Sequence, residues 1–296
     1  MGMPPMTRLL CLGAGYCALE LARRRRHEGW SVIATGRKPE RLAKLRASGF
    51  ATAVFDGTAP SDALRALLSG VTHVLISLPP DEAGDPFLRH HGADLLGAAP
   101  TLRWIGYLSS TGVYGDHGGG WVNEDTPPAP VTRRDQNRLT AECQWHGLSA
   151  EHQLPVHIFR LGGIYGPGDR NPLQSVRQGT ARRILKPGQY FGRIHRDDIV
   201  GVLEASQARP DPGRIYNVVD DEPTPPEVVP AYAAELLGLP VPPAIPFAEA
   251  DLSPAARGFY AASKRVRNDR IRRELGYALL YPTYREGLAA LLTESD

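Results

Sequence analysis

The chain has 296 residues, with Lys+Arg 34 against Asp+Glu 32 and a formal charge of +2, so no long-range field draws it to nucleic acid or to an anionic membrane. Its length suffices for one large core or a large plus a small one, since domains usually run to roughly 100–200 residues. Cys11, Cys17 and Cys143 are an odd set without metal-ligand spacing, which fits a reducing cytoplasm and no bound metal.

The N-terminal "MGMPPMTRLLCLGAG" has no basic stretch leading into an apolar one of signal length, and no window nears the roughly 18 apolar residues of a membrane helix. A soluble, unprocessed cytoplasmic protein with a small-molecule partner is expected.

In chain order, "RLLCLGAG" is an apolar run of strand length broken by glycines, and the helical pattern Leu19, Leu21, Ala22 follows before a second strand at Ser31 to Thr35. A strand–helix–strand unit of this length implies a parallel pair with a right-handed crossover. "RRRR", Arg23 to Arg26, falls at the end of the first helix, where cations complement its dipole.

The alternation continues. "FATAVFD" reads as a strand, "SDALRALLSG" as a helix with Ser61 as N-cap and Gly70 as stop, and "THVLISLPP", "TLRWIGYLSS" and "PVHIFRLGGIYG" as further strands. The expected fold class is α/β, a doubly wound, mostly parallel Rossmann-type sheet that binds ligands beyond the carboxyl ends of its strands.

"GAGYCA" sets Gly13, Gly15 and Ala18 in a G-x-G-x-x-A arrangement between the first strand and the first helix. Two glycines let the backbone approach a pyrophosphate, and Ala18 lets helix and strand pack closely. Tyr16 in this turn and Leu78 after the fourth strand are further candidate cofactor contacts.

Where an NAD site carries an acidic residue on the ribose, the second strand ends in Thr35 and Gly36, and Arg37 and Lys38 follow. A guanidinium there can fork onto a 2′-phosphate, so NADP is expected, with NAD the alternative. Asp56, after the third strand, either accepts from the adenine amino group or caps its own turn, "DGT".

"YLSSTGVYG", "FRLGGIYGPG", "RIHRDDIVGVL" and "IYNVVDDEPTPPE", in that order, make the chain resemble the extended short-chain dehydrogenase/reductases, the NAD-dependent epimerase/dehydratase family, over nearly its whole length. The resemblance assigns carbonyl polarisation to Ser110 and implies a Tyr-x-x-x-Lys pair on the next helix, in which tyrosine moves a proton and lysine holds the ribose. Here "RRDQNRLTAE" puts Arg134 in the tyrosine slot and Arg138 in the lysine slot, with Glu142 matching the family's glutamate.

No tyrosine lies between Tyr114 and Tyr165, and no lysine between Lys44 and Lys186, so a shifted alignment does not restore the pair. Arginine does not give up its proton, so Arg138 can hold ribose hydroxyls but Arg134 cannot act as the acid. The pattern resembles atypical members that keep the nucleotide fold and lose part of the catalytic set.

The remaining candidate donor is Tyr114, read alternatively as a tyrosine packed in its loop. His195 in "RIHRDD", whose imidazole titrates near neutrality, and Arg160 are expected beside the substrate, and Asp197 or Asp198 as a helix cap. Gly162, Gly163 and Ile164 are expected to pass the nicotinamide, or to serve a tight turn.

Residues 1–166 are expected to form the dinucleotide-binding domain and 167–296 a smaller substrate lobe, with some chain exchange. In the lobe "TPPE", Thr224 to Glu227, reads as a capping box, Pro230 argues for a late helix start or a kink, and Asn268 and Gly276 bound a helix carrying Ile271 and Leu275 on one face. Lys264, with Arg265 and Arg267, suits an anionic substrate group.

The expected function is NADP-dependent reduction or epimerisation of a small carbonyl or sugar-type metabolite; the rival is a non-catalytic NADP sensor. Dimers are common among the relatives, so a homodimer accords with the resemblance.

Overall fold

A computed structural model describes residues 7–293. Residues 1–6, on which the expectation of an unprocessed N-terminus partly falls, lie outside the described residues, as do 294–296.

One sheet holds β1 (Arg8–Leu12), β2 (Ser31–Gly36), β3 (Ala51–Val54), β4 (His73–Ile76), β5 (Trp104–Ser110), β6 (Val156–Leu161) and β7 (Ile215–Val218), in the order β7-β6-β5-β4-β1-β2-β3. β1 runs parallel to β2, with Leu10 opposite Ile33, and parallel to β4, with Leu10 opposite Val74. Strand order therefore reverses at β1, the switch point beyond which ligands bind in sheets of this kind. The doubly wound α/β expectation is met.

The apolar runs of β1 and β4 are continuous because both faces of these strands are covered; Leu9 to Leu12 and Val74 to Ile76 are fully buried. Helices α1 (Tyr16–His27), α2 (Pro39–Ala47), α3 (Asp62–Leu67), α4 (Pro86–Gly97) and α5 (Arg133–His152) follow the sequence pattern. Ser61 caps α3 by accepting from the Leu64 N–H, as expected. Asp85 caps α4 through one oxygen and accepts from Trp145 Nε1 of α5 through the other, at 2.8 Å. The arginine run ends α1 and pairs locally, Arg24 with Glu20 and Arg25 with Glu28.

The chain divides into two compact units. The first comprises Met1–Ser109, Asn137–Phe159 and Leu203–Ile215; the second comprises Ser110–Gln136, Arg160–Val202 and Tyr216–Asp296. Each unit draws on three stretches of chain, and residue 166, where the sequence reading set its boundary with some chain exchange, lies within the second unit. The sequence reading took "IYNVVDDEP" only as a motif, yet its first residues form β7.

The first unit is built on the aliphatic residues of β1 to β5 with Phe55, Phe87, Tyr107 and Trp145. In the second, Tyr165, Leu173, Val229, Ala233, Tyr284 and Leu288 form a separate core. Helix Asp269–Leu275 ends at Gly276 in the left-handed region, with Ile271 and Leu275 buried, as expected.

Two expectations in this unit are corrected. Helix Val228–Leu236 starts after "TPPE" and has no side-chain cap; Thr224 instead pairs with Phe191 through backbone bonds and accepts from Arg193. Pro230 thus sits in the first turn, where a missing N–H costs nothing. Asp198 does not cap its own helix either, because its carboxylate accepts from the Leu280 and Tyr281 N–H groups and the Tyr277 hydroxyl.

Candidate functional site

In the first unit the glycine turn is held from β2. Gly13 adopts φ +84, and a Cβ there would lie 3.1 Å from Leu78 Cδ2, so the position requires glycine on two counts. Gly13 N–H donates to Thr35 Oγ1 at 2.9 Å, and Ala14 N–H to the Thr35 carbonyl at 2.8 Å. Thr35 is fully buried; its hydroxyl fastens the turn instead of facing a ribose.

Gly15 is the N-cap of α1 and brings no side-chain cap to the helix N-terminus. Ala18 is buried and Tyr16 opens the helix. Leu78 is packed against the turn by its side chain.

At the end of β2 the groups are cationic. Arg37 and Lys38 are exposed, and Arg41, which the sequence reading passed over, donates from Nη2 to the Ala14 carbonyl at 2.7 Å. Its signal was present: Arg41 lies one helical turn beyond Lys38 in α2, on the helix that follows the cation pair. Asp56 Oδ1 accepts from the Thr58 N–H and hydroxyl, which hold its carboxyl below the usual carboxylate range, so its turn-capping role is formed.

These residues fit a nicotinamide dinucleotide. Gly13 and Gly15 bring no Cβ to the turn, the helix N-terminus has no side-chain cap, and cations stand where NAD sites carry an acid.

Also in the first unit, Arg138 Nη1 donates to the Leu108 carbonyl at 2.8 Å and to the Tyr107 hydroxyl at 3.2 Å. Buried Glu142 accepts from Ser109 Oγ. Both anchor α5 to β5.

In the second unit, Ser110 opens a 3₁₀ turn, Thr111–Tyr114, and its Oγ accepts from the Gly112 N–H at 3.1 Å. Tyr114, expected as a donor, is fully buried. Its hydroxyl donates to Asn217 Oδ1 at 2.7 Å, and the Arg160 guanidinium lies 4.8 Å over its ring. Burial also raises its pKa above the ordinary phenol value, which leaves no accessible acid there. Its structural reading, a tyrosine packed in the loop, is the one the geometry fits.

Buried His195 is enclosed between Tyr281, with ring centroids 4.3 Å apart, and Tyr165, 5.2 Å apart, while its Nδ1 accepts from the Asp197 N–H. Gly162 and Gly163 use their N–H groups on the Val218 and Gly192 carbonyls. A Cβ on Gly162 would come 2.9 Å from both Gly192 O and Val219 Cγ1, so this glycine serves close packing. Ile164 lies opposite Ile194 in a two-stranded pairing.

Lys264 is half-buried, and its Nζ donates to the Gly115 carbonyl at 3.0 Å. Thr132 and Asp135 form a reciprocal cap at the start of α5: Thr132 Oγ1 donates to Asp135 Oδ2 at 2.6 Å and accepts from the Asp135 N–H. The sequence reading did not use Asp135, although T-x-x-D before a helix is a recognisable cap.

Among the described residues, no group of three or more His, Cys, Asp or Glu is placed to hold a metal, and no helix is long and apolar enough to cross a membrane.

No family model matches the chain. A conserved protein of unknown function from Silicibacter pomeroyi is 52% identical, with 98% of this chain and 99% of that one covered and a TM-score of 0.89. A structure from Methylobacillus flagellatus, provisionally described as an NAD-dependent epimerase/dehydratase, is 26% identical over 99% of each chain, with a TM-score of 0.73. A 3-diazoavenalumate denitrifying reductase from a Streptomyces species is 32% identical over 163 residues. The chain spans about half the length of that curated relative, 51%.

Proposed function

We propose, for a chain whose full-length structural neighbours are NAD-dependent epimerase/dehydratase family members, that it is an NADP-dependent reductase of a small carbonyl-type metabolite with a non-standard proton donor. The observation that carries the reading is the cationic end of β2: Arg37 and Lys38 follow Gly36 directly, and Arg41 lies on the glycine turn through its bond to Ala14. A guanidinium forks onto a phosphate dianion where a carboxylate would repel it. The named reductase relative supports reduction over epimerisation.

When bound, the reduced dinucleotide supplies hydride. The residues of the chain bind and orient: the α1 N-terminus takes the pyrophosphate, Arg37 and Arg41 take the 2′-phosphate, and Arg138 is a candidate for the ribose hydroxyls. Ser110, whose oxygen already accepts from Gly112 N–H, keeps its own proton to donate to a substrate oxygen.

Fluorescence titration with NADPH and NADH, followed by NADPH oxidation against a panel of aldehydes, ketones and sugar nucleotides, tests this. NADPH binding at least tenfold tighter than NADH, with turnover, is expected; equal affinities overturn the NADP assignment. The engagement of Tyr114 by Asn217 favours a second reading, an NADP sensor without catalysis, for which binding without turnover on any panel member is expected.

A further inference from the structure

Residues 79–85 join Leu78, which packs on Gly13, to α4 at Pro86, and they lie wholly in the first unit. The strand end before them borders the glycine turn: Ser77 N–H donates to the Leu12 carbonyl at 2.9 Å, and a Cβ on Gly15 would lie 3.3 Å from Ser77 Oγ. Pro79 and Pro80 then fix two φ angles. Asp81 and Gly84 close a turn, each N–H donating to the other's carbonyl at 3.0 Å. Inside it, Asp81 Oδ1 accepts from the Ala83 N–H.

The helix α5 reaches this turn through Gln144, whose Oε1 accepts from the Asp85 N–H at 2.8 Å while its Nε2 donates to the Ala83 carbonyl at 2.9 Å. The amide thus spans Gly84, which has a φ of +97° and where a Cβ would collide with Gln144 Oε1, so glycine is required. From α4, the Arg89 guanidinium forks onto Asp81 at 2.9 and 2.7 Å and reaches the Gly57 carbonyl at 3.3 Å. Pro86 packs on Gly57. The turns after β1, β3 and β4 are therefore one connected rim at the carboxyl ends of these strands, where a doubly wound sheet takes its ligand.

We propose that Gln144 is a positioning residue for the dinucleotide, fixing the Asp81–Gly84 turn as a prebuilt wall of the crevice. This rests on the dinucleotide-binding part of the reading above, and on neither reduction nor the choice of NADP. A loop ordered only on binding subtracts its lost freedom from the affinity, whereas a loop already fixed by folding does not. The Arg89–Asp81 pair is half-exposed and worth little by itself, which leaves the Gln144 amide as the principal clamp.

Amide hydrogen exchange and dinucleotide titration of the whole chain test this. In the parent, the Ala83, Gly84 and Asp85 amides are expected to exchange slowly without ligand and to change little with saturating NADPH. In Gln144→Ala they are expected to exchange about tenfold faster or more without ligand, and to return toward the parent rate with NADPH. Affinity should fall about fivefold or more for NADPH and NADH alike, because the cations at the end of β2 are untouched. A purely structural Gln144 would lower the Tm and speed exchange, yet leave both dissociation constants of the folded variant within twofold of the parent; that outcome overturns the proposal.

Gly84→Ala, whose Cβ would push the same amide aside, is a second route to the clamp. It is expected to lose at least as much affinity as Gln144→Ala, and adding Gln144→Ala to it to change affinity by less than twofold, since the two act on one contact. A further fivefold loss on addition overturns the shared clamp. A parent that binds neither dinucleotide overturns the dinucleotide reading together with this one. Binding without turnover removes only the reductase, and the same exchange and affinity changes then still support Gln144.

Discussion

The Tyr114 hydroxyl donates to Asn217 Oδ1 at 2.7 Å, joining a 3₁₀ turn to a strand 103 residues away. Asn217 is itself fully buried, and its Nδ2 donates to Arg267 O at 3.0 Å. Tyr114→Phe removes a donor and leaves a buried acceptor unpaired, which typically costs about 1–3 kcal/mol. Chemical denaturation should show that loss, with NADPH oxidation by the remaining folded protein within threefold of the parent. A loss of 10²-fold or more at unchanged stability would return Tyr114 to the chemistry.

Arg41 lies on Ala14 O through one nitrogen. Arg41→Ala, and Arg37→Ala beside it, are each expected to weaken NADPH about tenfold or more and NADH less than threefold, since only a 2′-phosphate offers the dianion. Isothermal titration with both dinucleotides measures the ratio; equal losses would assign the two arginines to the pyrophosphate or to the fold.

Acid stability should depend on two histidines on either side of Trp104. His73 and His157 each have ring centroids 6.3 Å from it, and burial lowers both to about 4. The folded state binds fewer protons than the unfolded one between that value and the ordinary 6.5. Stability is therefore full above pH 6.5 and falls as pH drops toward 4, by at most roughly 3 kcal/mol for the buried His157. His157 Nε2 accepts from the Asp211 N–H at 2.8 Å. His157→Gln offers another acceptor without the ionisation, so the calorimetric Tm should decline less between pH 6.5 and 4; an unaltered slope would remove His157 from the acid limb.

Gly162→Ala places a Cβ 2.9 Å from the Gly192 carbonyl oxygen and from Val219 Cγ1. Backbone oxygen cannot rotate away, so a destabilisation of about 1–3 kcal/mol is expected from overcrowding. Dinucleotide affinity of the folded variant should be unchanged, because the Gly162 N–H already donates to Val218 O. A selective loss of binding at full stability would give this glycine back to the nicotinamide.

Much of the fold was legible because its signals are local. Continuous apolar runs mark β1 and β4, Ser61 and Gly276 mark helix ends, and Gly13 and Gly15 follow the first strand. β7 was missed as a strand because "IYNV" is short and joins the sheet from far along the chain. "TPPE" failed as a cap because Thr224 found stronger partners in Phe191 and Arg193, an outcome no local motif records.

The amino-acid order by itself determined the parallel α/β class, the glycine turn, the cations at the end of β2 and the loss of tyrosine and lysine from the helix after Ser110. Each depends on residue type at short spacing, which periodicity and backbone sterics read directly. Only the tertiary structure decided that Thr35 fastens the glycine turn, that Tyr114 is enclosed with Asn217, and that Lys264 meets Gly115 from 149 residues away. Burial and hydrogen-bond partners at such separations are set by where the chain returns, so a residue's chemical availability becomes visible only when its neighbours are in place.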